Sequence, residues 1–216
     1  MNRSGRRAAR RGGLVGTGWV REDVVLDMPS SGEKGAPGLL QAIKRYGRPV
    51  ERSYVHRVGK TFFPTSAGPK RLFEVVILLR RRNGLYLVHT KEFYPKATYR
   101  LLSGGVKPGE DLIAAVRREA LEETGLEVRI ESFLGILRHQ FVCEGRSLPL
   151  VSYLFAVVEE SGVLGCDDPH EAITGFREVT LPEIAAMADS LESLPPNWID
   201  WGRFRATAHR LAGELL

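Results

Sequence analysis

Residues 72–79, Leu-Phe-Glu-Val-Val-Ile-Leu-Leu, form a nearly continuous apolar run, the pattern of a strand buried on both faces. It follows the breakers Pro64, Gly68 and Pro69, so the main domain is expected to begin near Lys70. Asn83-Gly84 then separates it from a second short strand at 85–89, a strong local signal for a hairpin. A loop through Pro95 and a short stretch at 99–102 lead into the turn Gly104-Gly105. Asp111 is a candidate N-cap for a helix that stops at Gly125, where glycine can take the left-handed conformation of a C-cap. Residues 133–142 and 148–158 read as two strands joined through Glu144-Gly145-Arg146, the second with apolar residues on both faces, so the sheet is expected to be covered on both sides. Thr180-Leu181-Pro182-Glu183 is a capping-box pattern opening a helix with Ile184 and Met187. Trp201, Phe204, Ala208, Leu211 and Leu215 recur at helical spacing and predict a C-terminal helix packed on the domain.

Upstream the pattern is weaker. Residues 19–28 read as a strand, 29–38 as a Pro/Ser/Gly-rich loop, 39–46 as a short helix and 53–63 as a further strand. The expected organisation is a mobile Arg/Gly-rich tail over 1–18, an N-terminal extension over 19–69, the main domain over 70–190 and the C-terminal helix over 191–216. No internal repeat is legible.

Composition changes this picture little. With 216 residues, 43% hydrophobic and 26% charged, the chain suits one main domain with extensions, and no apolar run approaches the length of a membrane span. The formal charge of +5 comes from Arg3, Arg6, Arg7, Arg10 and Arg11, ahead of the first acidic residue, Glu22; the remainder is neutral. A broad phosphate-tracking surface is therefore not expected, and nucleic acid is not an expected partner. Cys143 and Cys166 form no C-x-x-C, and no secretory signal is legible, so the cytoplasm is the expected compartment.

The candidate chemistry lies in the helix after Asp111. Glu119, Glu122 and Glu123 stand at i, i+3 and i+4, on an arc of roughly 100°. Ile113, Val116 and Ala120 form the neighbouring apolar stripe, so the helix can pack on a core while presenting its carboxylates sideways. By itself such a cluster reads as a solvated acidic face. With a partner it suits a hard divalent cation, Mg²⁺ or in its place Mn²⁺, which takes oxygen ligands.

Residues 104–126, GGVKPGEDLIAAVRREALEETGL, resemble the Nudix box. That box runs Gly, five residues, Glu, seven residues, Arg-Glu, an aliphatic position, any residue, Glu-Glu, any residue, Gly, aliphatic. Gly104, Glu110, Arg118, Glu119, Ala120, Glu122, Glu123, Gly125 and Leu126 fill it in order. The resemblance, extending from about residue 70 to 190, implies an α/β/α sandwich around a mixed β-sheet, here with an N-terminal extension and a C-terminal helix. It implies hydrolysis of a diphosphate bond in a nucleotide-type substrate. Glu119, Glu122 and Glu123 are then expected metal ligands, with Glu119 also orienting or deprotonating the attacking water, and the carbonyl near Gly104 is a further candidate ligand. Glu110, Arg118 and Gly125 are expected to hold the motif in shape. A second base is expected from a late loop, with Glu171 the first candidate and Asp167, Asp168 or His170 in its place as alternatives.

Arg100, Arg138 and His139 are candidate substrate contacts, although each taken alone reads more simply as a surface charge or a satisfied side chain. Phe141 and Tyr153 read as core rather than as base-stacking residues. ADP-ribose-type members of the family often carry Glu-Leu-Pro-Ala-Gly before the box, where this chain has Arg100-Leu101-Leu102-Ser103-Gly104. The ADP-ribose and sugar-nucleotide classes remain the leading expectation. A non-catalytic nucleotide-sensing or scaffold domain and an RNA 5′-end pyrophosphohydrolase are the alternatives, and the family's isomerase branch is disfavoured because neither cysteine lies in its motif. Related sugar-nucleotide enzymes dimerise through N-terminal strands, so a homodimer is considered by analogy.

Overall fold

The computed structural model describes residues 35–62, 73–166 and 168–216. The strand expected at 19–28, the tail before it and the domain start near Lys70 lie outside the described residues. The described chain is organised on one seven-stranded sheet in the order β1-β5-β6-β2-β3-β7, with β4 paired to β2. The strands are β1 Val50–Arg57, β2 Phe73–Arg80, β3 Tyr86–Lys91, β4 Leu102–Gly105, β5 Leu126–Cys143, β6 Arg146–Gly162 and β7 Ile173–Val179. The helices are α1 Leu39–Tyr46, α2 Leu112–Thr124, α3 Leu181–Glu192 and α4 Ile199–Leu215. β1 runs parallel to β5 and β2 parallel to β6, while the other pairs are antiparallel, which makes the sheet mixed.

The apolar run in β2 is continuous because both faces are covered. Val75, Ile77 and Leu79 pack with Leu112, Val116 and Ala120 of α2, whereas Val76 and Leu78 pack with Ile184 of α3 and Ala208 and Leu211 of α4. Each such fully buried aliphatic side chain contributes roughly 1.5–3 kcal/mol relative to exposure. The result is the α/β/α sandwich, with α1 and α2 on one face and α3 and α4 on the other.

One edge of β2 is divided, and that division positions the site. Glu74 to Ile77 pair with β4, while Leu79 and Arg80 pair with Leu87 and Tyr86 of β3. β4 is thus a short strand inserted at the middle of the sheet, and its last residues, Gly104 and Gly105, open the loop into α2. The helix is bounded as expected: the Asp111 side chain accepts from the Ile113 N–H at 2.8 Å, and Gly125 closes it at φ 68°. The capping box at Thr180 and Glu183 is also formed.

Several strands differ from the sequence reading. β5 begins at Leu126 rather than near residue 133, because residues 126–132 alternate buried and exposed around Glu127, Arg129 and Glu131 and pair with the far end of β6 through local register shifts. β7 lacks an apolar run, and it exists because it adds to the outer edge of β3. The extension's α1 and β1 join the α2-side core and the main sheet, with β1 ending at Arg57 rather than reaching residue 63. No helix among the described residues is long and apolar enough to cross a membrane.

His209 ties α4 to the sheet centre. Its Nε2 accepts the Leu101 N–H at 3.1 Å, which leaves Nδ1 to donate to the Ile184 carbonyl at 3.2 Å. Burial lowers its pKa to about 4, and burial likewise lowers that of His56 to about 4 against an opposing Asp200. Such histidines stay neutral in the folded protein while the unfolded chain protonates near 6.5, so their contribution is intact above that pH and is lost as pH falls towards 4. Between pH 7.5 and 4.5 urea unfolding should show a loss of about 2–3 kcal/mol from His209. The variant His209→Gln should show a correspondingly flatter pH dependence; an unchanged slope would mean that this imidazole is not held neutral.

Candidate active site

Arg118 organises the acidic face of α2. Its Nε and Nη2 donate to the two oxygens of Glu110 at 2.6 and 2.9 Å, and Nη2 also reaches the Gly105 carbonyl at 2.9 Å. Its Nη1 donates to Glu119 Oε1 and Glu122 Oε2, each at 2.7 Å. One guanidinium therefore pins the loop from Gly105 to Glu110 against the helix while separating two glutamates. The Arg118 hydrogen bonds hold the Glu110 carboxyl below the usual carboxylate range.

Glu119 lies on the end of β4. A Cβ at Gly104 would fall 1.8 Å from the Glu119 carboxyl carbon, so that position must be bare for the carboxylate to occupy it. Burial raises the Glu119 pKa, with Arg118 opposing and the neighbouring Glu122 and Glu171 adding to the rise. Glu122 is more open, 35% exposed at its side chain, with Lys107 Nζ 3.6 Å away. Glu171 arrives from a short 3₁₀ turn, Pro169–Glu171, just ahead of β7. One carboxylate oxygen from each of Glu119, Glu122 and Glu171 lies within 4.8 Å of the others. Three hard oxygen donors converging beside a bare glycine backbone match the requirements of Mg²⁺ or Mn²⁺.

Glu123 is not a member of that converging group. It is fully buried, its Oε2 accepts the Ser103 N–H at 3.0 Å, and Lys91 Nζ lies 3.2 Å from its Oε1. Burial pushes its pKa up to about 7 against the opposing charges of Arg100 and Lys91. Lys91 also donates to Glu171 Oε2 at 2.7 Å, so the two carboxylates share one ammonium.

The three basic side chains considered as substrate contacts are placed elsewhere. Arg100 is 4% exposed and donates to the Tyr94 hydroxyl, the Leu101 carbonyl and Ser103 Oγ, because it enters the sheet's interior just before β4. His139 lies beneath α4 among His56, Phe141 and Phe204, with His56 Nε2 at 3.0 Å from its Nδ1. Arg138, on the opposite face of β5, pairs with Glu51 at 3.4 Å. None of the three makes a hydrogen bond or ion pair to Glu119, Glu122, Glu123 or Glu171, although the charge of Arg100 is felt at Glu123. Phe141 and Tyr153 are core residues, 3% and 1% exposed. The Asp168 side chain caps the 3₁₀ turn through the His170 N–H at 2.8 Å, and neither residue joins the carboxylate group; Asp167 lies outside the described residues. Lys91 had no motif to flag it. Its only signal is a basic residue closing a short strand that opens Tyr-Leu-Val.

Compared with known families, the chain matches the NUDIX domain over residues 70–202. No curated protein matches it. Among solved structures it is similar to the crystal structure of UDP-X diphosphatase, with TM-score 0.47 and 15% identity over 72% of this chain and 68% of that one. It is also similar to a NUDIX hydrolase from Nitrosomonas europaea, with TM-score 0.43 and 22% identity over 64% and 91%. The MutT protein from Methanosarcina mazei Go1 gives TM-score 0.42 and 21% identity over 63% and 92%.

The close approach of Glu119 to Gly104 can be tested without a substrate. Gly104→Ala should keep a cooperative thermal transition yet bind Mn²⁺ at least about tenfold more weakly in calorimetry, since the added methyl displaces the Glu119 carboxylate. Unchanged affinity would show that Glu119 does not depend on that bare backbone.

Proposed function

The chain belongs to the Nudix family, hydrolases of phosphorus-containing acid anhydrides, and from that membership we propose that it cleaves the diphosphate bond of a nucleoside diphosphate linked to a second group, using a divalent cation held by Glu119, Glu122 and Glu171. The observation that carries this reading is the meeting of those three carboxylates at the junction of β4, α2 and the turn before β7.

A Mg²⁺ or Mn²⁺ ion bound there supplies charge neutralisation for the diphosphate and a lowered pKa for water. The protein's own contribution is largely positional. Arg118 and Glu110 fix the loop to the helix, and the Gly104 carbonyl is a further candidate ligand at the end of β4. Glu119, whose pKa is raised by burial and by its acidic neighbours, is the better placed proton acceptor for an attacking water, with Glu171 the second carboxylate available to it. Lys107, exposed and 3.6 Å from Glu122, is positioned to meet a substrate phosphate. Glu123 belongs to the site as the carboxylate that braces β4 through Ser103 and is linked to Glu171 through Lys91.

ADP-ribose and sugar nucleotides come first among substrates to test, followed by NADH, dinucleoside polyphosphates, nucleoside triphosphates and capped or triphosphorylated RNA. Turnover of one class with Mg²⁺ or Mn²⁺ should fall roughly 10²–10⁴-fold in Glu119→Gln and comparably in Glu122→Gln. A folded, metal-loaded protein that binds one of these ligands without turning it over would instead support a nucleotide-sensing domain.

A further inference from the structure

Lys91 closes β3 and lies outside the box pattern, yet its ammonium stands between two of the site's carboxylates. Nζ is 2.7 Å from Glu171 Oε2 and 3.2 Å from Glu123 Oε1, with the side chain 11% exposed. This is not a loosely held surface lysine. Its backbone pairs with Ile173 of β7, its carbonyl accepts the Tyr94 N–H at 3.0 Å, and the next N–H, from Glu92, donates to the Ala172 carbonyl at 2.9 Å. The lysine and the turn bearing Glu171 are therefore one piece of structure.

Glu123 has one oxygen committed to the Ser103 N–H; the other, Oε1, is buried 3.2 Å from Lys91 Nζ and 4.0 Å from His89 Nε2, so the ammonium is the charged group nearest to it. Arg100, buried behind Ser103 with Nη1 at 2.8 Å from Ser103 Oγ, adds positive charge on the same side. A divalent ion bound to Glu123 Oε1 would stand beside an ammonium and near a guanidinium in a water-poor setting, where like charges repel strongly. Glu119, Glu122 and Glu171, by contrast, face one another with Arg118 already shared by Glu110.

We propose that Lys91 is a resident cation that takes the place a second divalent ion would fill between Glu123 and Glu171, so that this chain binds a single divalent ion, at Glu119, Glu122 and Glu171. The inference rests on the metal-dependent reading above. The three box glutamates then have different partners, Glu119 and Glu122 the ion and Glu123 the lysine.

Mn²⁺ stoichiometry on the full chain tests this, by calorimetry and by the electron paramagnetic resonance signal of bound ion. The wild type and Lys91→Arg should each bind one ion per chain with an isolated-ion spectrum. Lys91→Met, which removes the charge and keeps an unbranched stem, should bind two, close enough to show spin coupling. Two tightly bound, coupled ions in the wild type would overturn the proposal, as would one ion in a folded Lys91→Met. Should Lys91→Met not fold, the wild-type and Lys91→Arg stoichiometries decide. Glu122→Gln keeps the two readings apart: unchanged Mn²⁺ binding in that variant, or none in the wild type, removes the carboxylate site itself, whereas two ions in the wild type removes only the role given to Lys91.

Discussion

Like charge crowded onto one helix face is the constraint to which the rest of this structure answers. Glu119, Glu122 and Glu123 follow one another within five residues, and Glu110 and Glu171 are brought to the same corner by the loop and the late turn. Arg118 makes that tolerable. Its planar fork engages Glu110 at two atoms and still reaches Glu119, Glu122 and a backbone carbonyl, a set of contacts that a lysine's single ammonium does not provide. Removing one member of such a partly buried group leaves the others uncompensated, at a cost of about 3–5 kcal/mol in typical cases. The Arg118 contacts are therefore structural and electrostatic together.

The same constraint reaches through the sheet to α4. Ser103 gives its N–H to Glu123, and its hydroxyl accepts from Arg100 and Arg205. Arg205, on α4, is held by both oxygens of Glu74 on β2, and Glu74 in turn accepts from Ser152 on β6. β4 is short and inserted against half of one edge of β2, so this polar chain supplies lateral fixing that four residues of strand pairing supply weakly by themselves. The C-terminal helix thus contributes to holding the strand that carries Gly104, although it contributes no member of the carboxylate group.

Much of the candidate site was legible because its signals are local. The spacing from Gly104 to Leu126, the Asp111 and Gly125 caps and the apolar run of β2 all depend on residues within a few turns of each other, and the helix, the sandwich and the two box glutamates that join the converging group follow from them. Glu171 was reached through resemblance to the segment around it. The substrate contacts expected at Arg100 and His139 were not reachable in that way, since a strand residue's face and burial depend on what lies across the sheet. Arg100 is drawn inward by Tyr94 and Ser103, and His139 is roofed by α4.

Sequence by itself therefore determined the helix with its carboxylate spacing, the doubly covered central strand and the family to which the chain is similar, because each is written in periodicity or in a fixed short pattern. Tertiary structure decided the partners: β7 is a strand because β3 offers it an edge, the alternating residues 126–132 extend β5 because β6 lies beside them, and Lys91 becomes part of the site because that pairing sets it against Glu171 and Glu123. The physical reason is range. A helix satisfies its backbone within four residues, whereas a strand's hydrogen bonds and an ion pair's counter-charge come from segments that only the folded chain brings together.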